Sequence, residues 1–143
     1  WALRKEISVR SYPEQVGEEM KAKYGIAVAG THGKSTTSTL ITHILFKEGR
    51  DTSFIIGAKV EPFQANGHYG KGKEIVVEAC EYRRHMLLLK PEIAAVTSVD
   101  ADHLDYYKDI EDIRSASACR AIRERSATAG IAIQLSERHS IEI

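Results

Sequence analysis

A glycine-rich loop between a short apolar run and an amphipathic segment carries the strongest chemical signal in this sequence. Backbone N–H groups at the start of a helix form a cradle for phosphate oxygens. Lys34 adds a positive charge for the outer phosphates, and the Ser35 hydroxyl is placed to ligate a magnesium ion that bridges them. The pattern predicts a nucleotide-phosphate site at Gly30, Thr31, His32, Gly33, Lys34, Ser35 and Thr36.

The spacing of this loop leaves an alternative open. Val28 stands where the first glycine of the standard Gly-x4-Gly-Lys-Ser/Thr pattern would fall. A plain glycine turn with a solvated lysine would also produce these residues. The position of the loop after an apolar run and before a helical segment favours the phosphate site.

A carboxylate follows a second apolar run. Glu78 comes directly after Ile75-Val76-Val77, where phosphate-transfer sites hold hard oxygen ligands for magnesium. A solvated carboxylate at the edge of a sheet is the alternative. Glu81, three residues later, could equally cap the helix that follows.

A third group gathers three carboxylates and an imidazole in the segment 100–105, Asp-Ala-Asp-His-Leu-Asp. His103 could bind a second metal ion through its neutral imidazole, with Asp102 or Asp105 orienting the ring. A polar loop that caps the next helix is the alternative. Cys80 is interpreted as a small buried side chain rather than a reactive thiolate.

The elements that must position these groups are predicted from apolar runs and helical spacing. The predicted strands are 26–29, 52–56, 74–77, 93–96 and 130–135, and the predicted helices are 11–23, 34–48, 82–89 and 114–125. Residues 57–73 form a long loop or a hairpin. Alternating strands and helices favour an α/β fold, a mostly parallel sheet flanked by helices, with its binding site beyond the C-terminal strand ends.

Composition narrows the classes of function. A chain of 143 residues with 43% hydrophobic and 28% charged residues fits one soluble domain. Twenty basic and 20 acidic residues leave no broad basic field, which argues against nucleic-acid binding. No apolar run reaches about 18 residues, so no membrane span is predicted. Two cysteines fit a reducing cytoplasm. Because the chain begins with Trp1, we expect it to be a piece of a longer protein.

Three segments, taken in their order and spacing, closely resemble the central ATPase domain of the Mur ligases: 29–37, 78–82 and 100–107. Within this family the match looks nearest to the UDP-N-acetylmuramate:L-alanine ligases. The resemblance predicts a partial P-loop-type central domain over residues 1–113 and leaves 114–143 as an unrecognised continuation. Ser98 departs from the family, which commonly has Asn there.

The resemblance implies the cofactors and the site. ATP and Mg²⁺ would be bound, with ATP phosphates held by Gly30, Thr31, Gly33 and Lys34. Ser35 and Glu78 would bind one Mg²⁺ and His103 would serve the second. Lys34, Glu78 and His103 would be the catalytic residues. The carboxylate of UDP-N-acetylmuramate would attack the γ-phosphate to give an acyl phosphate, from which L-alanine displaces phosphate.

The family also has an N-terminal domain for the uridine nucleotide and a C-terminal domain for adenine and the amino acid. Neither is recognised in this sequence, so the chain alone is expected to be inactive in ligation. Two alternatives stay open. One is another ligase of the superfamily, a murein peptide ligase or a folylpolyglutamate synthase, and the other is a non-catalytic P-loop remnant.

Overall fold

A computed structural model describes residues 5, 8–79, 88–98 and 132–133. The predictions for Cys80, Glu81 and the segment 100–105 with His103 lie outside these residues. The same holds for the predicted helix 114–125 and for most of the predicted helix 82–89.

The core of the fold is one six-stranded sheet. Its strands are β1 Tyr24–Ala29, β2 Ser53–Val60, β3 Ala65–His68, β4 Glu74–Glu78, β5 Ile93–Val96 and β6 Ala132–Ile133. They lie in the order β3-β2-β4-β1-β5-β6. All neighbours are parallel except β2 and β3. The predicted mostly parallel α/β sheet is therefore confirmed, with β1 between β4 and β5.

Two helices, α1 Tyr12–Lys21 and α2 Lys34–Lys47, cover opposite faces of this sheet. Alternate side chains of β1 point to the two faces. The α1 face buries Val16, Met20, Ala27, Ala29, Ile75, Val77, Ala79 and Leu89. The α2 face buries Ile26, Phe54, Ile56, Val60 and Val76, against partly buried residues that include Ile41, Leu45 and Phe46. Neither described helix is long and apolar enough to cross a membrane.

The segment that the sequence left as a long loop or a hairpin contains a hairpin. β2 continues to Val60, four residues past the predicted end, and β3 pairs back antiparallel to it. The pairing shifts register between Ile55 and Val60, so the strand is irregular around Gly57. Gly57, Ala58 and Lys59 are exposed, and without a buried apolar alternation the sequence gives no strand signal there.

Candidate functional site

The site lies where three neighbouring strands end. The loop 30–33 follows β1, Glu78 is the last residue of β4, and Thr97 follows β5. Val28 pairs with Glu78, and Ala29 pairs with Val96. Parallel strands point their carboxyl ends to the same edge, so the sheet brings the loop and Glu78 together as the sequence predicts.

Two glycines give the loop its path. Gly30 has φ +128° and Gly33 has φ +80°, both in the region that favours glycine. A Cβ atom on Gly30 would lie 2.2 Å from Thr97 Oγ1 and 2.8 Å from the backbone nitrogen of Ser98. Any side chain at Gly30 would therefore force the loop away from the end of β5. Gly33 is the N-cap of α2 and turns the chain into the helix.

The residues after β5 hold the loop through hydrogen bonds. The backbone N–H of Thr31 donates to the Ser98 carbonyl at 2.9 Å, and that of His32 donates to Ser98 Oγ at 3.0 Å. The N–H of Thr97 donates to the carbonyl of Ala29 at 3.0 Å. In the sequence, Ser98 stands out only as a departure from the family. The signal that could have identified it is its position, because residues 97 and 98 directly follow the strand that pairs with β1.

Lys34 lies over the loop at the first turn of α2. Its Nζ donates to the carbonyls of Gly30 at 2.6 Å and Thr31 at 3.2 Å. The N–H groups of a first helical turn point out of the helix, and the helix dipole adds a partial positive charge there. The ammonium, the dipole and the amides make this end of α2 suited to an anion. Ser35 and Thr36 lie in the same turn.

Glu78 is held by two donors on different elements. Ser35 Oγ donates to Glu78 Oε1 at 3.1 Å, and the backbone N–H of Gly57 donates to Oε2 at 2.7 Å. A Cβ atom on Gly57 would lie 3.1 Å from Oε2, so a larger residue there would crowd the carboxylate. The irregular stretch of β2 thus directs a backbone amide at Glu78.

The pair Ser35 and Glu78 fits a magnesium ion. Both offer hard oxygen atoms, and adjacent ligands of an octahedral Mg²⁺ at about 2.1 Å lie about 3 Å apart. The 3.1 Å between Ser35 Oγ and Glu78 Oε1 matches this separation. Within the described ranges no group of three His, Cys, Asp or Glu side chains could hold a metal ion. The remaining ligands would be phosphate oxygens and water, as Mg²⁺ commonly takes.

Glu78 also faces open space. It lines a cavity of about 580 Å³ together with Tyr12, Ile55, Ile56, Gly57, Asn66 and Gly67. This volume is within the range of small-molecule sites, about 300–1,000 Å³. A ligand in this cavity would lie against the carboxylate that Ser35 contacts. Within the described residues, the predicted site residues of the loop, the start of α2 and Glu78 lie at one edge of the sheet, while His103 is outside the described residues.

Comparison with known proteins identifies the family of this chain. The family model of the Mur ligase middle domain matches residues 28–142. A UDP-N-acetylmuramate-L-alanine ligase from Syntrophotalea carbinolica is 47% identical over 113 residues, which are 79% of this chain and 25% of that protein. The chain thus spans about a quarter of the length of the curated relatives it matches.

Two solved structures share the fold. The UDP-N-acetylmuramate-alanine ligase from Thermotoga maritima superimposes with a TM-score of 0.69 at 24% identity, over 80% of this chain and 27% of that one. The MurF ligase from the same organism, in complex with ADP, gives a TM-score of 0.61 at 20% identity, over 86% of this chain and 32% of that one. The sheet, the loop at its edge and these matches agree, and the chain belongs to the Mur ligase middle-domain family.

Proposed function

We propose that this chain is the ATP-binding core of a ligase that joins UDP-N-acetylmuramate to L-alanine in the synthesis of peptidoglycan precursors. The observation that carries the proposal is the contact between Ser35 and Glu78 beside the loop at the start of α2. The relatives named for this reaction support the choice over other ligases of the family. An ADP complex of a protein with this fold supports the nucleotide.

The chain's own residues would bind and orient ATP. The amides of the first turn of α2 would receive the phosphates, while Thr31 and His32 direct their amides at Ser98 and keep the loop in place. Lys34 would move from the loop carbonyls to the outer phosphates. Ser35 and Glu78 would hold Mg²⁺, which when bound offsets the charge of the phosphates. The Gly57 amide would keep Glu78 aimed at the ion.

The proposed reaction has two steps. The carboxylate of UDP-N-acetylmuramate attacks the γ-phosphorus, the bond to the β–γ bridging oxygen breaks, and ADP leaves with that electron pair. The amino group of L-alanine then attacks the acyl carbon, phosphate departs, and the amine loses a proton as the amide forms. Lys34 would lower the barrier of the first step because it offsets charge where two anions meet. His103 would assist with a second Mg²⁺.

The test compares two glutamates on one strand. Glu78→Gln keeps the shape of the side chain but loses its charge, and we expect the affinity for ATP in the presence of Mg²⁺ to fall at least about tenfold. Glu74→Gln is the matched control, because Glu74 lies at the other end of β4 and pairs with Arg50. Calorimetric titration with ATP at several Mg²⁺ concentrations measures the affinity of both variants.

Two results would contradict the proposal. One is an equal effect of Glu78→Gln and Glu74→Gln on Mg²⁺-dependent binding. The other is ATP binding that needs no Mg²⁺ and survives Lys34→Ala, since the nucleotide would then occupy a different site.

A further inference from the structure

Ser98, the residue after Thr97, holds the loop 30–33 through hydrogen bonds. We infer that Ser98 is a positioning residue, whose hydroxyl holds the loop in its phosphate-accepting shape before any nucleotide binds. The inference rests on the proposed function, because it assigns to Ser98 the shape of the site at which ATP would bind. It adds a residue that does not itself contact the ligand.

The contacts form a short clamp at the end of β5. Ser98 accepts two hydrogen bonds from consecutive residues of the loop, through its carbonyl from Thr31 and through Oγ from His32. Two hydrogen bonds to neighbouring amides fix the orientation of the peptide unit between Thr31 and His32 as well as its distance from Ser98. The Ser98 residue is 9% exposed, so water has little access to this contact.

The loop cannot move toward or away from this clamp without cost. A Cβ on Gly30 would lie 2.8 Å from the backbone nitrogen and 2.9 Å from the backbone oxygen of Ser98. The backbone at Gly30 is therefore already close to the backbone at Ser98. The Thr97 hydroxyl lies within hydrogen-bond distance of the carbonyls of Ala29 and His32 and shares its single proton between them. His32 is thus held at both its N–H and its carbonyl. Gly33 and the first turn of α2 directly follow His32, so the orientation of His32 also sets the direction of their amides.

The side chain of Ser98 can be tested apart from its backbone. Ser98→Ala removes the acceptor for His32 and leaves the bond from Thr31 to the Ser98 carbonyl. A neutral hydrogen bond of this kind corresponds to about a fivefold change in an equilibrium constant. We expect the His32 amide to exchange its hydrogen about fivefold faster in Ser98→Ala without nucleotide, and Mg²⁺-ATP to bind about fivefold more weakly.

The chain offers a closely matched control in Ser53. Its Oγ accepts from the backbone N–H of Gly70 at 3.0 Å, the same kind of bond at the same length, and it is buried. Ser53 begins β2, at the amino-terminal ends of the parallel strands, whereas the candidate site lies at their carboxyl ends. Ser53→Ala should therefore speed exchange at Gly70 but leave the His32 amide and the ATP affinity at wild-type values.

The experiment is amide hydrogen exchange by NMR and ATP calorimetry on the 143-residue chain and its variants. If Ser98→Ala does not fold, Ser98→Cys keeps the size with a weaker acceptor, and a smaller change in the same direction is expected. Unchanged exchange at His32 overturns the inference, and so does faster exchange with unchanged ATP affinity. Failure of the wild-type chain to bind Mg²⁺-ATP would overturn the proposed function, while His32 exchange would still decide whether Ser98 holds the loop.

Discussion

Two hydroxyl groups are buried on the side of α2 that faces the sheet. Ser38 and Thr42 are one helical turn apart, both fully buried, and neither hydroxyl has a hydrogen-bond partner within the described ranges. Leaving a buried hydroxyl unpaired costs about 1–3 kcal/mol. Their benefit is size, because small side chains let the helix lie close to the strands.

The Ser38 hydroxyl should therefore reduce stability. We expect Ser38→Ala to raise the free energy of unfolding by about 0.5–1 kcal/mol, because it removes the unpaired group and alanine has the higher helix propensity. Urea unfolding measures the change. Ser35→Ala, three residues earlier, serves as the control, since that hydroxyl bonds to Glu78 and its loss should give no such gain. A clear loss of stability in Ser38→Ala would show that its hydroxyl has a partner outside the described residues.

At the scale of residues, the sequence identified the groups with local signals. Gly30, Gly33 and Lys34 form a pattern within a few positions, so their arrangement was predictable. Ser98 was not, because its bond to His32 joins residues 66 positions apart. The bond exists only once β5 lies beside β1. The role of Gly57 was not predictable for the same reason, because its amide donates to Glu78 on the neighbouring strand.

The loop between β3 and β4 is fastened from two sides. On one side, the Asp51 carboxylate accepts from the Lys71 N–H at 2.8 Å and lies 2.9 Å from the His68 ring nitrogen. On the other, Lys23 Nζ donates to the carbonyls of Gly70 at 2.9 Å and Gly72 at 2.7 Å. The loop before β4 is thus tied to the turn between α1 and β1 and to the end of the α2–β2 connection.

This fastening should depend on pH. The Lys71 backbone amide, followed by the His68 ring, holds the pKa of Asp51 below its usual value. A pKa lowered by folding means that the charged carboxylate stabilises the fold above the unfolded-state pKa of about 3.9. This contribution is lost as the pH falls from that value through the lower pKa of the folded state. We expect Asp51→Asn to lower Tm at pH 7 and the difference from wild type to shrink below about pH 4.

Thermal unfolding at pH 7 and pH 3 measures this difference. Glu48→Gln, a nearby exposed carboxylate, is the control and should give little difference at either pH. A constant gap between Asp51→Asn and wild type at both pH values would contradict a role for the Asp51 charge.

At the scale of elements, periodicity predicted which segments are helices and strands better than which face is buried. The predicted strands at 26–29, 74–77 and 93–96 agree with β1, β4 and β5 within two residues. In α2, Leu40 and Ile44 have the same spacing as Ile41 and Leu45, but only the second pair packs against the core. The sequence contains two apolar stripes on one helix, and the sheet decides which is covered.

For the whole molecule, Phe54 is the central side chain of the α2 face. It is fully buried, and its ring lies 6.4 Å from that of Phe46 and 5.5 Å from that of Phe63. We expect Phe54→Ala to lower the free energy of unfolding by about 3–5 kcal/mol, because it removes apolar contacts and leaves a cavity. This is a large part of the roughly 5–15 kcal/mol that is typical of a domain.

Urea unfolding measures this loss against a matched control. Leu40→Ala also shortens a large apolar side chain, but Leu40 is 59% exposed, so its effect should stay within about 1 kcal/mol. Similar losses in the two variants would mean that Leu40 is covered in solution and that the α2 face does not dominate stability.

The position of β1 at the middle of the sheet also sets the order in which the chain can assemble during translation. Among the described strands β1 is synthesised first, yet Tyr24 pairs with Glu74 and Ile26 pairs with Ile93, 50 and 67 residues later. A ribosome must add those residues before either neighbour exists. Until then the largely buried strand β1 lacks both of its neighbours, and apolar strands that are exposed in this way attract chaperones or aggregate. The loop 30–33 is therefore synthesised well before Thr97 and Ser98, which hold it by hydrogen bonds.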